Sequence, residues 1–342
     1  MKKFYLSLLL TVLVSCLSMG QDTFSIVAVD PETGAVGGAG ASCIDDDDCN
    51  GCGGVIIING LIPGRGAMNS QAYACIPNVN LNLGLAQLNL GKSPQEALDF
   101  VVDNDQCSFL NNTYRQYGIV DLDSMGNPRS AAYTGENCDA YANHITGPNY
   151  AIQGNILLGQ GILDSMEARF LATEGTLAEK LMAALQGANV PGADTRCLSE
   201  GVSSLSAFVR VAMPGDENGD YLLDLNVKST PFGVEPIDSL QTLFDEWLLT
   251  DASEVPAEQS LFRVYPNPAH GMVIIEGYDG KQALNGEVEI YDSNGGLLLS
   301  RSLRQGRLVL PAGTFEQTGL YWYVIRNEQG SRLATGKFLY QN

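Results

Sequence analysis

Short runs rich in apolar and β-branched residues, bounded by Gly, Pro, Asn and Asp, predict strands over 23–30, 35–42, 55–59, 67–74, 117–121, 130–134, 150–154, 205–212 and 221–227. Pro31-Glu32-Thr33-Gly34 has turn chemistry and predicts a hairpin between the first two. Helical spacing takes over between these runs. Ser93-Pro94-Gln95-Glu96 places a capping serine, a first-turn proline and a returning glutamate before Leu98, Val101 and Val102. Ile162, Met166 and Phe170 repeat every four residues. Thr176 to Glu179 forms a second capping box, and Gly187 can end that helix. A third amphipathic helix spans 236–248, with Leu240, Phe244 and Trp247 on its inner face. Such stripes predict core packing. Mostly antiparallel strands with helices between them predict an α+β domain of two sheets covered by helices. Residues 250–260 have no hydrophobic period and read as a linker. Beyond it the pattern is all-β, with strands expected over 261–265, 272–276, 288–291, 297–301, 307–310, 320–326 and 334–339, as in a small β-sandwich.

The first twenty residues stand apart. Lys2 and Lys3 precede an apolar run from Phe4 to Leu17, and Ser18-Met19-Gly20 fits a signal peptidase site. The expected mature chain starts at Gln21. Leu13-Val14-Ser15-Cys16 offers the alternative of a lipoprotein cut before Cys16. No later run is long enough to predict a membrane-spanning helix.

Charge and cysteine sharpen this division. The chain carries 19 basic and 39 acidic side chains, net −20, of which residues 21–255 hold 9 and 31, net −22. Such a field repels phosphate backbones, so no nucleic-acid partner is expected. Seven cysteines outside the leader, at 43, 49, 52, 75, 107, 138 and 197, all fall in the acidic segment. In an exported chain they are expected to pair, leaving at least one thiol. Cys43, Cys49, Cys52 and Cys75 also satisfy the count for a zinc site, but with a single C-x-x-C. No metal and no cofactor is expected.

Two stretches resemble known families. "VYPNPAHGMVIIEG" at 264–277, "VEIYDSNGGLLLS" at 288–300 and "GLYWYVIRNEQGSRLATGKFLY" at 319–340 resemble the C-terminal sorting domain of the type IX secretion system. The resemblance implies that residues 261–342 engage that machinery in a Bacteroidetes-type bacterium. The protein would then reach the cell surface or medium after Sec export. "TFSIVAVDPETGAVG" at 23–37, "GAMNSQAYA" at 66–74, "RQYGIVD" at 115–121, "TGENC" at 134–138, "YAIQGNILLG" at 150–159 and "LAEKLMAALQGA" at 177–188 resemble domain of unknown function 1028. That resemblance implies an N-terminal-nucleophile hydrolase-like fold of four layers, αββα, over 21–249. This chain departs from the family at 192–204, where "GADTRCLSEGVSS" retains Asp194 and Arg196 but adds Cys197.

In that fold the first residue's side chain attacks an amide and its α-amine acts as the base. Thr23 stands at the head of the first strand and is the expected nucleophile. A chain starting at Gln21 would leave its nitrogen an amide, so a further cut after Asp22 is needed. The matched motifs nominate Gln71, Arg115, Thr134, Gln153, Asn155, Asp194 and Arg196 as pocket residues for a small amide or peptide. Arg115 and Arg196 are candidates to hold a substrate carboxylate, or equally to pair with a structural one. Asn155 is the candidate oxyanion donor. The alternative is a catalytically silent binding protein on the same fold. His144 has no Gly-x-Ser-x-Gly partner motif and reads as a loop residue. Asp216 to Asp220 reads as a turn rather than a calcium loop, and Asp45 to Asp48 as a solvated acidic loop.

Overall fold

The computed structural model describes residues 23–217, 219–251, 262–279, 282–292, 296–315, 317–327 and 332–341. The predicted leader and its cleavage site, and most of the predicted linker, lie outside the described residues. The chain divides into two compact units, the first ending at Phe244.

The first unit contains strands β1 (Phe24–Val29), β2 (Val36–Ser42), β3 (Asn59–Ile62) and β4 (Gly66–Gln71), then helices α1 (Val79–Asn89) and α2 (Pro94–Asp103). Strands β5 (Gln116–Leu122), β6 (Pro128–Thr134), β7 (Asn143–Gly147) and β8 (Tyr150–Gly154) follow. Helices α3 (Gln160–Ala172) and α4 (Leu177–Gly187), strands β9 (Ser206–Ala212) and β10 (Leu223–Val227), and helix α5 (Pro236–Asp251) complete the series. One sheet runs β10-β9-β2-β1-β8-β7, the other β3-β4-β5-β6. The opening strand β1 is interior, antiparallel to β2 (Phe24↔Ala41) and to β8 (Phe24↔Gly154).

The sheets face each other, with β1 against β4 and β5 and β5 against β8. Helices α1 and α2 pack on the smaller sheet, α3 and α4 on the larger. Alternation along each strand explains this packing. Phe24, Ile26 and Ala28 of β1 are fully buried on one face, while Val27 and Val29 on the other join Val36, Leu61, Ala67, Val120 and Leu122 between the sheets. Met68, Tyr117 and Ile119 turn outward to Leu81, Leu98 and Val101 of α1 and α2.

Both predicted capping boxes form, at Ser93/Glu96 and Thr176/Glu179. The strand expected at 55–59 is instead a 3-10 helix, Gly54–Ile58, entered through Gly53 at φ 97° and Gly54 at φ 75°. Val55 and Ile58 bury against Phe208 rather than pairing with a strand. Helix α1, which the pattern did not reveal, starts at Asn78, whose side chain accepts from Leu81 N at 3.2 Å. Among the described residues the cysteines join as Cys43–Cys197, Cys49–Cys52 and Cys75–Cys107, which uses every thiol of the zinc alternative. Cys138 keeps its thiol, directed to the Arg115 carbonyl at 3.4 Å. No described helix is long and apolar enough to cross a membrane.

In the second unit all seven expected strands form. They are β11 (Phe262–Tyr265), β13 (Val273–Asp279), β15 (Gly286–Tyr291), β16 (Leu297–Leu303), β17 (Arg307–Leu310), β18 (Gly319–Arg326) and β19 (Arg332–Gln341), with short β12 (Ala269–His270) and β14 (Gln282–Ala283) added. A sheet β12-β19-β18-β15-β16 and a smaller one built on β13 enclose a core that includes Ile275, Val288, Phe315, Ile325 and Phe338.

Candidate active site

The layer between the two large sheets changes character along its length. On β1 the inward positions run Thr23, Ser25, Val27, Val29. On β4 they run Ala67, Asn69, Gln71; on β5, Leu122, Val120, Gly118, Gln116; on β8, Ala151 then Gln153. Each strand thus turns from apolar to polar toward the Thr23 end. Thr23, Ser25, Asn69, Gln71, Gln116, Gln153 and Asn155 are all inaccessible to solvent. Buried polar groups are tolerated when they are hydrogen-bonded, and most of these are.

Gln71 is the hub. Its Nε2 donates to the Thr23 carbonyl at 3.0 Å and to Gln116 Oε1 at 2.8 Å. Its Oε1 accepts from Ser25 Oγ at 2.5 Å, and Ser25 Oγ accepts from Gln153 Nε2 at 2.6 Å. Gln116 Nε2 then donates to the Gly154 carbonyl at 2.9 Å and to Thr134 Oγ1 at 2.9 Å. Because carbonyls can only accept, these bonds fix every amide orientation in the chain. Thr134 Oγ1 in turn lies 2.9 Å from His144 Nδ1, where the donor is set by the imidazole tautomer. Burial pushes the His144 pKa below 6.5, which favours the neutral ring. It lies on β7, paired with Gln153, not in the expected loop.

Thr23 is held by its backbone. Its N donates to Asn155 Oδ1 at 3.0 Å, and its O accepts from Asn155 N at 3.1 Å. The Thr23 hydroxyl is fully buried and, among the described residues, has no hydrogen-bond partner, as is also true of Gln153 Oε1. A buried hydroxyl left without a partner costs about 1–3 kcal/mol. The backbone nearby is strained as well. Ala72 and Tyr73, just after Gln71, have φ of 58° and 50°, and Ile156, just after Asn155, has φ of 53°. Left-handed backbone is unfavourable for all three, most of all for the β-branched isoleucine.

Asp194 and Arg196 close the same end of the larger sheet. Asp194 accepts from Cys43 N at 3.0 Å and receives Arg196 in a two-pronged pair, Nε to Oδ1 at 2.9 Å and NH2 to Oδ2 at 2.6 Å. Arg196 NH2 also approaches Ser42 Oγ, on the last residue of β2, at 3.5 Å. The Cys43–Cys197 disulfide ties the segment to that strand end. Thr195 N bonds the Ile156 carbonyl at 3.0 Å, which joins it to the turn after Asn155.

Arg115 is engaged elsewhere. Its guanidinium meets Asp105 at 3.0 Å, donates to the Tyr73 and Phe109 carbonyls and stacks over the Phe109 ring. Of the two readings open for it, structural pairing is the one its contacts describe. The remaining nominated residues gather around Thr23, directly or through the network. Ser25, Gln116 and His144 were missed as site residues. Their signal is the polar inward position, visible only once the strands are aligned.

Among solved structures, protein SPO2555 from Silicibacter pomeroyi, itself matched to family DUF1028, is similar to this chain at 26% identity with a TM-score of 0.51. The match covers 66% of this chain and 88% of that one. CopC from Methylosinus trichosporium OB3b (16% identity, TM-score 0.16, 23% of this chain and 90% of that one) and latent PorU from Porphyromonas gingivalis (13%, 0.18, 40% and 12%) are too dissimilar to inform the fold. No curated protein matches the chain. Residues 263–339 match the secretion system C-terminal sorting domain, which assigns the protein to type IX secretion and to the cell surface or extracellular space. Residues 23–240 match the family of unknown function DUF1028, and the chain belongs to that family.

Proposed function

We propose that the first unit is a four-layer αββα, N-terminal-nucleophile hydrolase-like domain that cleaves small amides or peptides, with Thr23 as nucleophile. The observation that carries this reading is the Thr23 hydroxyl, buried at the head of an interior strand in the polar half of the inter-sheet layer, without a partner among the described residues. The pairing of α1 and α2 with one sheet and α3 and α4 with the other supports the layer order.

The chemistry needs a cut after Asp22. The freed α-amine has an ordinary pKa of about 7.7–8.0, so a minor but usable fraction is unprotonated near neutrality. It takes the Thr23 hydroxyl proton as Oγ1 attacks the amide carbon, and Asn155 Oδ1, which already accepts from Thr23 N, orients that amine. The proton passes to the departing nitrogen as the C–N bond breaks. Water then hydrolyses the Thr23 ester and restores the hydroxyl. Gln71 and Gln153 fix the floor, Thr134 links it to His144, and the Asp194–Arg196 pair forms the adjoining wall. Arg115 donates to the Tyr73 carbonyl, in the left-handed segment that follows Gln71.

A second reading, a silent binding protein for a small amide or peptide, follows if the mature chain starts at Gln21 and the Thr23 nitrogen stays an amide. Chains beginning at Gln21 and at Thr23, each with Thr23 intact or with Thr23→Ala, separate the two when assayed on a panel of small amides. Turnover only by the intact chain starting at Thr23 is expected. Equal turnover by all four would remove Thr23 as nucleophile, and no turnover by any would favour the binding protein.

A further inference from the structure

A separate cleft of about 610 Å³ opens beside β3, lined by Asn59, Leu61, Ala86, Arg210, Asp216 and Tyr221 among others. Its origin is topological. The larger sheet carries β9 and β10 beyond β2, whereas the smaller sheet stops at β3, which packs on β2 and β9. The overhang leaves a gap that α1 borders through Ala86.

Two buried polar atoms in this wall have no partner among the described residues, Asn59 Oδ1 and Arg210 Nε. The Asn59 orientation is fixed from a distance. Asn69 Nδ2 donates to the Ile26 carbonyl at 3.2 Å, so Asn69 Oδ1 must be the acceptor from Asn59 Nδ2, at 2.8 Å. The orphan on Asn59 is therefore an acceptor. Arg210 lies directly across from Gly38 on β2. A side chain on Gly38 would run into the Asn59 amide, its Cβ falling 3.2 Å from Asn59 Cγ. Opposed residues share a face of the sheet, so Arg210 and the Asn59 amide come to the same side. The Arg210 charge is matched by Asp224 at 2.8 Å. Asp216 turns its Oδ2 to Met213 N and Leu222 N, at 2.8 and 2.9 Å.

We propose that this cleft binds a neutral carboxamide, as found in a short peptide, with its C=O toward Arg210 Nε and its N–H toward Asn59 Oδ1. One donor and one acceptor suit an amide group, and with the arginine neutralised there is no surplus positive charge to favour an anion. Both atoms are buried. A ligand reaching them would have to displace the Tyr221 ring, which lies 5.1 Å from the guanidinium on the cleft wall. The site is independent of Thr23.

The test is calorimetric titration of the full mature chain with N-acetylglycinamide, and with N-acetylglycine as its anionic counterpart. Saturable binding of the amide is expected, at least about tenfold tighter than the anion. Ala86→Trp, at an exposed helix position on the cleft wall, is expected to abolish it. Arg210→Lys, which keeps the charge but lacks the Nε donor, is expected to weaken it by about tenfold, the loss of one charge-assisted hydrogen bond. Absence of saturable binding, equal or tighter binding of the anion, or binding unchanged by Ala86→Trp would overturn the proposal.

Discussion

Gly118 offers the sharpest test of the inter-sheet network. A Cβ built on it falls 2.6 Å from Gln153 Cδ, and closer still to Gln153 Oε1. Absent that collision, Gly→Ala in a strand is favourable by about 0.5–1 kcal/mol. With it, Gln153 must withdraw. The bond from Gln153 Nε2 to Ser25 Oγ at 2.6 Å is then lost. Overpacking of about 1–3 kcal/mol and one broken buried hydrogen bond of about 1 kcal/mol place the cost of Gly118→Ala near 3 kcal/mol. For a unit of this size that is a fall in melting temperature of roughly 6–12 °C. Gln153→Ala alone forfeits the same bond but also removes an unpartnered oxygen, so its cost is about 1–2 kcal/mol. The two changes should be strongly non-additive. In the Gln153→Ala background the added methyl has somewhere to go, and the double variant should be more stable than Gly118→Ala alone. Urea titrations of the four chains, followed by circular dichroism, measure this directly. A double variant as unstable as the sum of the singles would refute the claim that Gly118 is glycine to make room for Gln153.

Three further outcomes are expected. The Cys43–Cys197 bond closes a separation of 154 residues, so Cys43→Ser should lower stability by about 2–5 kcal/mol in thermal melts. Burial holds the His144 pKa below 6.5, so its contribution is fully present above that pH and declines as the pH falls below it, where the unfolded chain takes up a proton first. Urea midpoints between pH 7.5 and 5.5 should accordingly fall less in His144→Gln than in the parent. Deleting 261–342 should leave the first unit folded but retained by the cell, as judged by fractionation and immunoblotting; undiminished export of the shortened chain would contradict the sorting assignment.

What the sequence revealed was what local chemistry decides. The capping boxes at Ser93 and Thr176, the turn at Pro31–Gly34 and the strand that begins beside Thr23 all follow from neighbouring residues, and the structure bears each out. What it concealed depends on partners far along the chain. Residues 79–85 read V-N-L-N-L-G-L, a period of two that suits a strand, yet they form α1 because Asn78 caps it and Leu81 and Leu88 pack on the smaller sheet. Val55-Ile56-Ile57-Ile58 has high strand propensity, but two left-handed glycines coil it into a turn of 3-10 helix. Propensity yields to tertiary context in both cases. Arg115 was legible as unusual but not as structural, because Asp105 and the Tyr73 and Phe109 carbonyls meet it only after folding.

The polar half-layer is the deeper case. Ser25, Gln71, Gln116 and Gln153 come from four strands of two sheets, and no single window contains two of them. A domain selected for stability alone would continue the Val27–Val120 packing to the end of the sheets, since apolar contacts need no exact partners. Instead seven inaccessible polar side chains gather toward one end of the layer, and it holds a hydroxyl without a partner among the described residues and three left-handed residues nearby. Local rules broken together at one place favour the proposed site over an accident of packing. The same argument distinguishes Thr23 from Ser25. Both are buried hydroxyls facing one way along the opening strand, but Ser25 is saturated by Gln71 and Gln153, whereas the Thr23 hydroxyl at the strand's head has no partner among the described residues. Ser25→Ala should therefore destabilise the domain by about 1–3 kcal/mol through the two amides it strands. Thr23→Ala should be close to neutral in the same melts, since losing a buried oxygen that has no partner among the described residues offsets the loss of the buried methyl. A Thr23→Ala cost equal to that of Ser25→Ala would mean that the Thr23 hydroxyl serves the fold rather than the chemistry.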